Sequence, residues 1–287
     1  DCDNDGDVDV YVPNMGNPGQ VNELLINDGR GVFTSATMSD AVSSVAPIGR
    51  TMHAIAADFD NDGDVDLYDV NFGGDDNELF VNDGFCNFTQ AGGGDATFSV
   101  VYHSCGIAAD FNGDTFVDIF VCTSSHNPLP NELLLNDGSG AFVRKTTGVV
   151  VSRPATSPAA VACDLAPAGD IALFVAHDGN NELLVNIGSG EFVRSNDSTW
   201  TSSNSQSVCA ADFDSNGFLD LYIVNFRGTN ELYLNTAGEF DLVSLDMAGA
   251  VMNPSIADTS SKVTASDLNG DGLVDIYLSG LIYLNDG

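Results

Sequence analysis

Basic side chains are nearly missing from this sequence: eight lysines and arginines stand against 42 aspartates and glutamates in 287 residues, a formal charge of −34. DNA, RNA and anionic membrane surfaces repel such a chain, so nucleic-acid partners are excluded on electrostatic grounds. Long apolar runs are missing too. None reaches the roughly 18 residues of a membrane span, so no membrane insertion is expected in this segment. No signal-peptide pattern opens the chain, which starts on Asp1 inside a motif, as a processed or partial product of something longer would. Histidine is confined to His53, His103, His126 and His177. No G-x-S-x-G elbow, Gly-rich phosphate loop or Cys–His signature is present, so the expectation is a protein that is not an enzyme. Helical periodicity is almost lacking as well, which excludes a helical solenoid.

What is present is apolar enough to fold, with 43% hydrophobic residues, and wholesale disorder is excluded. Six cysteines, an even count, suggest an oxidising compartment. Sequons at Asn87 (NFT) and Asn196 (NDS) are compatible with glycosylation of a secreted or cell-surface chain. Halophilic adaptation would also raise the acid content, but with acids scattered over the surface. Here they cluster.

The clusters recur. DCDNDGDVD begins at Asp1, DFDNDGDVD at Asp58, DFNGDTFVD at Asp110, DLAPAGDIA at Asp164, DFDSNGFLD at Asp212 and DLNGDGLVD at Asp267, at steps of 48 to 57 residues. Periods near this length point to propellers or repeat arrays. Each cluster is followed by alternating apolar residues such as VDLYDV and VDIFV, and then by N-E-L-x-x-N and a turn of the N-D-G type. A Phe-bearing strand closes the unit, with Phe33, Phe88, Phe142, Phe192 and Phe240 in register. Period-two alternation separated by tight turns reads as strand. Four strands per repeat make an all-β propeller of four-stranded blades, with six repeats visible and six or seven blades when complete. No linker interrupts residues 1–287, so one domain is expected. Tyr11, Tyr68, Phe120, Phe174, Tyr222 and Tyr277 share one slot after the acidic loop. They could stack on carbohydrate, but recurrence in every repeat favours packing between blades.

Oxygen donors at alternate positions of a sharply turned loop converge on one point, and a glycine at position six allows the turn. Positions one, three, five and nine supply Asp1, Asp3, Asp5 and Asp9; Asp58, Asp60, Asp62 and Asp66; and Asp110, Asn112, Asp114 and Asp118. The last two loops supply Asp212, Asp214, Asn216 and Asp220, and Asp267, Asn269, Asp271 and Asp275. Position seven (Asp7, Asp64, Phe116, Phe218, Leu273) would add a backbone carbonyl. An all-oxygen donor set selects a hard cation and a flexible loop favours calcium, so about five Ca2+ ions are expected. Each loop taken alone could be an Asx-rich solvated turn; five in register are not so explained. Position twelve holds Val12, Asp69, Val121, Ile223 or Leu278, so the bidentate glutamate of an EF-hand is missing. Alanines at 166, 168 and 172 replace three ligands of the fourth loop, which is expected to hold no metal, and Thr115 stands where loop three wants glycine.

The pattern D-x-D-x-D-G-x-x-D-L-Y, followed by N-E-L-x-x-N-D-G-x-G-x-F, resembles the FG-GAP/VCBS-type repeats of integrin α-subunit propellers and many secreted proteins. The resemblance runs through essentially the whole chain. It implies calcium in the loop joining the first two strands of each blade. It also implies a ligand face at the opposite end, built by the loops joining strands two and three and those joining blades. Candidate contacts there are Asn14, Asn71, His126, His177 and Arg227, each otherwise an ordinary solvated loop residue.

Because those loops differ between repeats, they favour one composite protein-binding face over repeated sugar sites. The expected function is an extracellular calcium-stabilised module for protein binding, adhesion, self-association or structural assembly. A lectin-like, glycan-binding propeller is the alternative, and a polysaccharide-degrading enzyme a more distant one. Cys105 and Cys122 flank the third loop on adjacent antiparallel strands and are expected to form a disulfide. Cys163 and Cys209 could pair likewise, and Cys2 and Cys86 are left unassigned.

Overall fold

The computed structural model describes residues 1–15, 21–36, 51–73, 75–92, 94–97, 102–124, 129–154, 156–165, 171–195, 200, 202–243 and 262–287. Nearly all regular structure in them is antiparallel strand; a single 3-10 turn, Val149–Val151, is the one helical element among the described residues. The apolar alternation found in each repeat becomes a sheet, and the strands Asp66–Asn71, Asp118–Thr123, Ala172–Ala176 and Asp220–Asn225 are buried along their whole length. Two compact units emerge, Asp1–Pro154 and Ala155–Gly287.

The first unit holds three sheets. Sheet one comprises Val10–Val12, Glu23–Asn27 and Phe33–Ser35; sheet two Thr51–Ala57, Asp66–Asn71, Glu78–Asn82 and Phe88–Gln90; sheet three His103–Ala109, Asp118–Thr123, Glu132–Asn136 and Phe142–Arg144. In the second unit, sheet four comprises Ala159–Cys163, Ala172–Ala176, Glu182–Asn186 and Phe192–Arg194. Sheet five comprises Ser202–Ala211, Asp220–Asn225, Glu231–Thr236 and Glu239–Val243, and sheet six Val263–Ser266, Asp275–Leu278 and Leu281–Tyr283. Sheets two, three and four are four-stranded meanders, each a propeller blade, while sheets one and six have three strands. Sheet five has five, because Asp178–Asn180 pairs onto its first strand with Asp178 opposite Asn204. That segment falls where a loop between strands two and three was expected; paired, its backbone N–H and C=O groups are satisfied by the neighbouring strand.

Sheets pack face to face through the aromatic slot. Tyr68, Phe120 and Phe174 are fully buried and Tyr222 nearly so. Tyr68 lies with Ile119, Val121 and Leu134 of the next sheet, and Tyr222 with Ile276 and Leu278. Burying such a side chain contributes about 1.5–3 kcal/mol. Packing between sheets, the expected role, holds for Tyr68, Phe174 and Tyr222. Tyr277 of sheet six is 43% exposed, and no further sheet follows it among the described residues.

Candidate metal centres

Each acidic loop turns by placing two residues in the left-handed region. At position four these are Asn4, Asn61, Gly113, Ser215 and Gly270, with φ between 60° and 82°. At position six they are Gly6, Gly63, Thr115, Gly217 and Gly272, with φ between 79° and 99°. Glycine takes this conformation without penalty, whereas β-branched Thr115 does so under strain. The turn aims the loop's N–H groups inward. The Asp58 carboxylate accepts from the N–H of Asp62 and of Gly63 at 3.2 and 3.0 Å, and Asp1, Asp110, Asp212 and Asp267 accept in the same way.

Carboxylate oxygens of Asp1, Asp3 and Asp5 lie within 4.8 Å of one another, as do those of Asp58, Asp60 and Asp62, and of Asp212, Asp214 and Asp220. Loops three and six carry Asn112 and Asn269 at position three, whose amides bond Asp114 and Asp271 instead. One buried oxygen in this set, Oδ1 of Asp60, has no hydrogen-bond partner. Burial, then the neighbouring Asp62, pushes the Asp60 carboxyl above the ordinary carboxylate range. An orphaned acid oxygen among other acids, in a donor set made only of oxygens, fits a hard divalent cation. Calcium would be held by the acids and amides of positions one, three, five and nine. It would supply the positive charge that the loops otherwise lack.

Position nine does more than the spacing suggested. Asp66 accepts the N–H of Phe59 at Oδ2 and that of Asn82 at Oδ1, at 2.8 and 2.9 Å. Asp9, Asp118, Asp220 and Asp275 repeat both bonds. The acid thus ties the loop's start to the end of the third strand. Burial pushes Asp66 and Asp118 up to about 6 against these lowering bonds, and Asp220 moves upward for the same reason. The side chain at position seven covers the following turn: a Cβ on Gly84 would collide with the Asp64 carboxylate, and one on Gly138 with the Phe116 ring. In loop four, residues 166–170 lie outside the described residues; Ala172, where the other loops place their last acid, is buried.

Two recurring asparagines carry much of the architecture, one present in the first five repeats and one bonding across sheets from Asn82, Asn136, Asn235 and Asn285. The asparagine of N-E-L accepts at Oδ1 the N–H that ends the second strand: Asn22 from Asn14, Asn77 from Asn71, Asn131 from Thr123, Asn181 from His177 and Asn230 from Asn225. At Tyr11, Tyr68 and Tyr222 its Nδ2 also donates to the slot hydroxyl, as Asn77 does to Tyr68 at 3.0 Å. The asparagine that ends the third strand donates across sheets, Asn82 to the carbonyl of Cys2 at 2.8 Å. The recurring N-E-L-x-x-N spacing was the signal for both roles.

The candidate ligand-face residues divide. Asn71 and His177 are buried, contrary to their reading as solvated, because each closes a strand end; Asn14 bonds Asn22. Arg227 is exposed in a left-handed turn at φ 56°, its guanidinium 4.9 Å from the centre of the Phe226 ring. His126 and the sequon Asn196 lie outside the described residues. Asn87 is exposed and donates to Asp83.

Cys105 and Cys122 sit directly opposite in register and are bonded, with Cα atoms 5.0 Å apart. Cys2 is bonded to Cys86, joining loop one to the turn after sheet two's third strand. Position two of four other loops is a buried Phe59, Phe111, Leu165 or Phe213, so the disulfide stands where an apolar side chain is buried in those loops; Leu268 of the last loop is exposed. Cys163 and Cys209 remain thiols rather than a pair, and burial raises both to about 12.

The FG-GAP-like repeat family matches residues 1–68, 168–223 and 212–278, well over half of the chain. No curated protein sequence matches. Among solved structures, a lectin from Agrocybe aegerita that recognises non-reducing terminal N-acetylglucosamine is similar at a TM-score of 0.63 and 18% identity, covering 97% of this chain and 77% of the lectin. A fucose-specific lectin from Aleuria aurantia is similar at 0.53 and 15%, over 94% of this chain and 82% of its own. BBS1N, solved in complex with ARL6DN, is similar at 0.50 and 12%, over 95% and 81%. At these identities the likeness is one of fold.

Proposed function

Because the chain belongs to the FG-GAP-like repeat family, we propose that it is an extracellular, calcium-stabilised binding module without catalytic activity. The observation that carries this reading is the repeated loop: five copies share one left-handed, inward-turned geometry with oxygen donors at matched positions. Calcium would be a structural ion here, neutralising acids that otherwise repel one another. Two disulfides agree with an oxidising compartment. The recurrent residues described above serve strands, turns, loops and the bonds between sheets, which leaves the variable segments at the other end of the sheets for a partner. The exposed Arg227 is the contact of choice, since arginine is enriched at interface hot spots.

Calcium titration followed by calorimetry tests the scaffold, and pull-down with Arg227→Glu tests the face. The substitution should weaken association and leave calcium content and melting unchanged. No stabilisation by calcium would overturn the reading, as would polysaccharide turnover by the purified chain.

Glycan binding is the second reading, favoured by the two lectins that share the fold. Saturable binding to a glycan array that survives Arg227→Glu would favour it over the protein-binding face.

A further inference from the structure

The glutamate of N-E-L meets a different environment in each sheet. In sheet three, Glu132 is ion-paired with Arg144, and His103 Nε2 lies 3.5 Å from its other oxygen. In sheet four, Glu182 pairs with Arg194 at 3.2 Å, with His177 Nε2 3.7 Å away. Both arginines stand on the fourth strand, opposite Leu134 and Leu184. In sheet two the same register position, opposite Phe80, is Gln90, which donates to Glu78 at 3.2 Å. The arginine is gone.

A carboxylate has been added in the same place. Asp69 stands directly across from Glu78 in the ladder, at the position held by Val121 and Val175 in the next two sheets. Asp69 is fully buried and Glu78 only 6% exposed. Oδ2 of Asp69 accepts from Tyr11 at 2.8 Å and Asn22 at 2.7 Å, but its buried Oδ1 has no hydrogen-bond partner. Around the pair stand further oxygens, Thr51 Oγ bonded to Asn71 Oδ1, and the acids Asp75 and Asp76 add to the charge felt by Glu78. No basic side chain pairs with Asp69 or Glu78 among the described residues. Two buried charges without a counter-ion are costly. Burial, with Glu78 adding to it, lifts Asp69 to about 7.

We infer that Asp69 and Glu78 form a divalent-cation site, separate from the acidic loops, in which a bound ion takes the place that arginine occupies in sheets three and four. Two carboxylates facing each other match a charge of two, and oxygen-only donors select a hard ion of the calcium or magnesium class. Only a small ion suits groups this buried.

The test counts ions. The folded chain is dialysed to equilibrium against Ca2+ or Mg2+ and the metal per chain is measured for wild type, Asp69→Asn and Gln90→Arg. The expected result is one ion fewer in both variants. Gln90→Arg should also melt higher than wild type in chelator, since its guanidinium supplies the charge. Equal counts in wild type and Gln90→Arg overturn the inference and leave the pair holding a proton. If Asp69→Asn does not fold, Gln90→Arg decides alone. Asp62→Ala serves as the comparison: its count reports on the loops and does not depend on Asp69.

Discussion

Nδ2 of Asn136 donates to the carbonyl of Phe59 at 2.7 Å, across 77 residues of sequence, and thereby fastens sheet three to the acidic loop of sheet two. Asn82 to Cys2, Asn235 to Leu165 and Asn285 to Phe213 repeat the bond. The same amide also reaches Val117 at 3.0 Å. Replacing Asn136 by Ala leaves two backbone carbonyls short of a donor, which costs about 1–3 kcal/mol each when they are buried. Urea unfolding should therefore show a loss of at least about 1 kcal/mol for Asn136→Ala. A loss within the few tenths typical of surface substitutions would show that the staple does not stabilise.

Removing a loop acid should act through metal. Asp62→Ala is expected to lower calcium content by one ion and the melting temperature in calcium, with little change in chelator. At a calcium concentration 100-fold above the dissociation constant, the lost stabilisation is about 2.7 kcal/mol. Stoichiometry and calorimetry on the same samples check it; unchanged calcium content in Asp62→Ala would falsify the ligand assignment for loop two.

Without metal, stability should fall as pH rises. Burial holds Asp66 and Asp118 at about 6 and Asp69 at about 7, above the roughly 3.9 of an unfolded aspartate. Between these values the folded chain binds protons that the unfolded chain has released. Stability from this source is therefore full at the acid end of the window and lost as pH climbs through 6 to 7. Calcium relieves the same charges, so the gap between calcium-loaded and chelated melting temperatures should widen from pH 5 to 7.5. A chelated protein that melts higher at pH 7.5 than at pH 5 would contradict this.

The two disulfides should contribute unequally. Cys2–Cys86 closes 84 residues and Cys105–Cys122 closes 17. Chain entropy makes the longer closure more stabilising, by about 1.4 kcal/mol. Double serine variants of each pair, unfolded in urea, should show that order. Peptide mapping without reduction should recover both links, with alkylation at Cys163 and Cys209 alone and only slowly in the folded chain.

Much of the fold was legible because one pattern is repeated. Alternation gave the strands, N-D-G the turns and the aromatic slot the packing between sheets. The pairing of Cys105 with Cys122 was legible as well, since a hairpin of known loop length sets its own register. Cys2–Cys86 was not, because its partners lie in different repeats and only tertiary packing brings them together. The buried roles of Asn71 and His177 were hidden for a related reason. Polarity suggests solvent, and nothing local shows that their N–H groups are claimed by Asn77 and Asn181. Asp69 was visible as an odd residue at position twelve, but its meaning needed Glu78 across the ladder and Gln90 beside it.

The bond from Asn235 to the carbonyl of Leu165 falls in the loop where alanine stands at three of the expected donor positions. Because the staple uses the backbone, it places no demand on the acids around it. A loop can thus lose its carboxylates while the neighbouring sheets stay fastened through the backbone, so the joint between sheets and the charge of the loop are separable properties of each repeat.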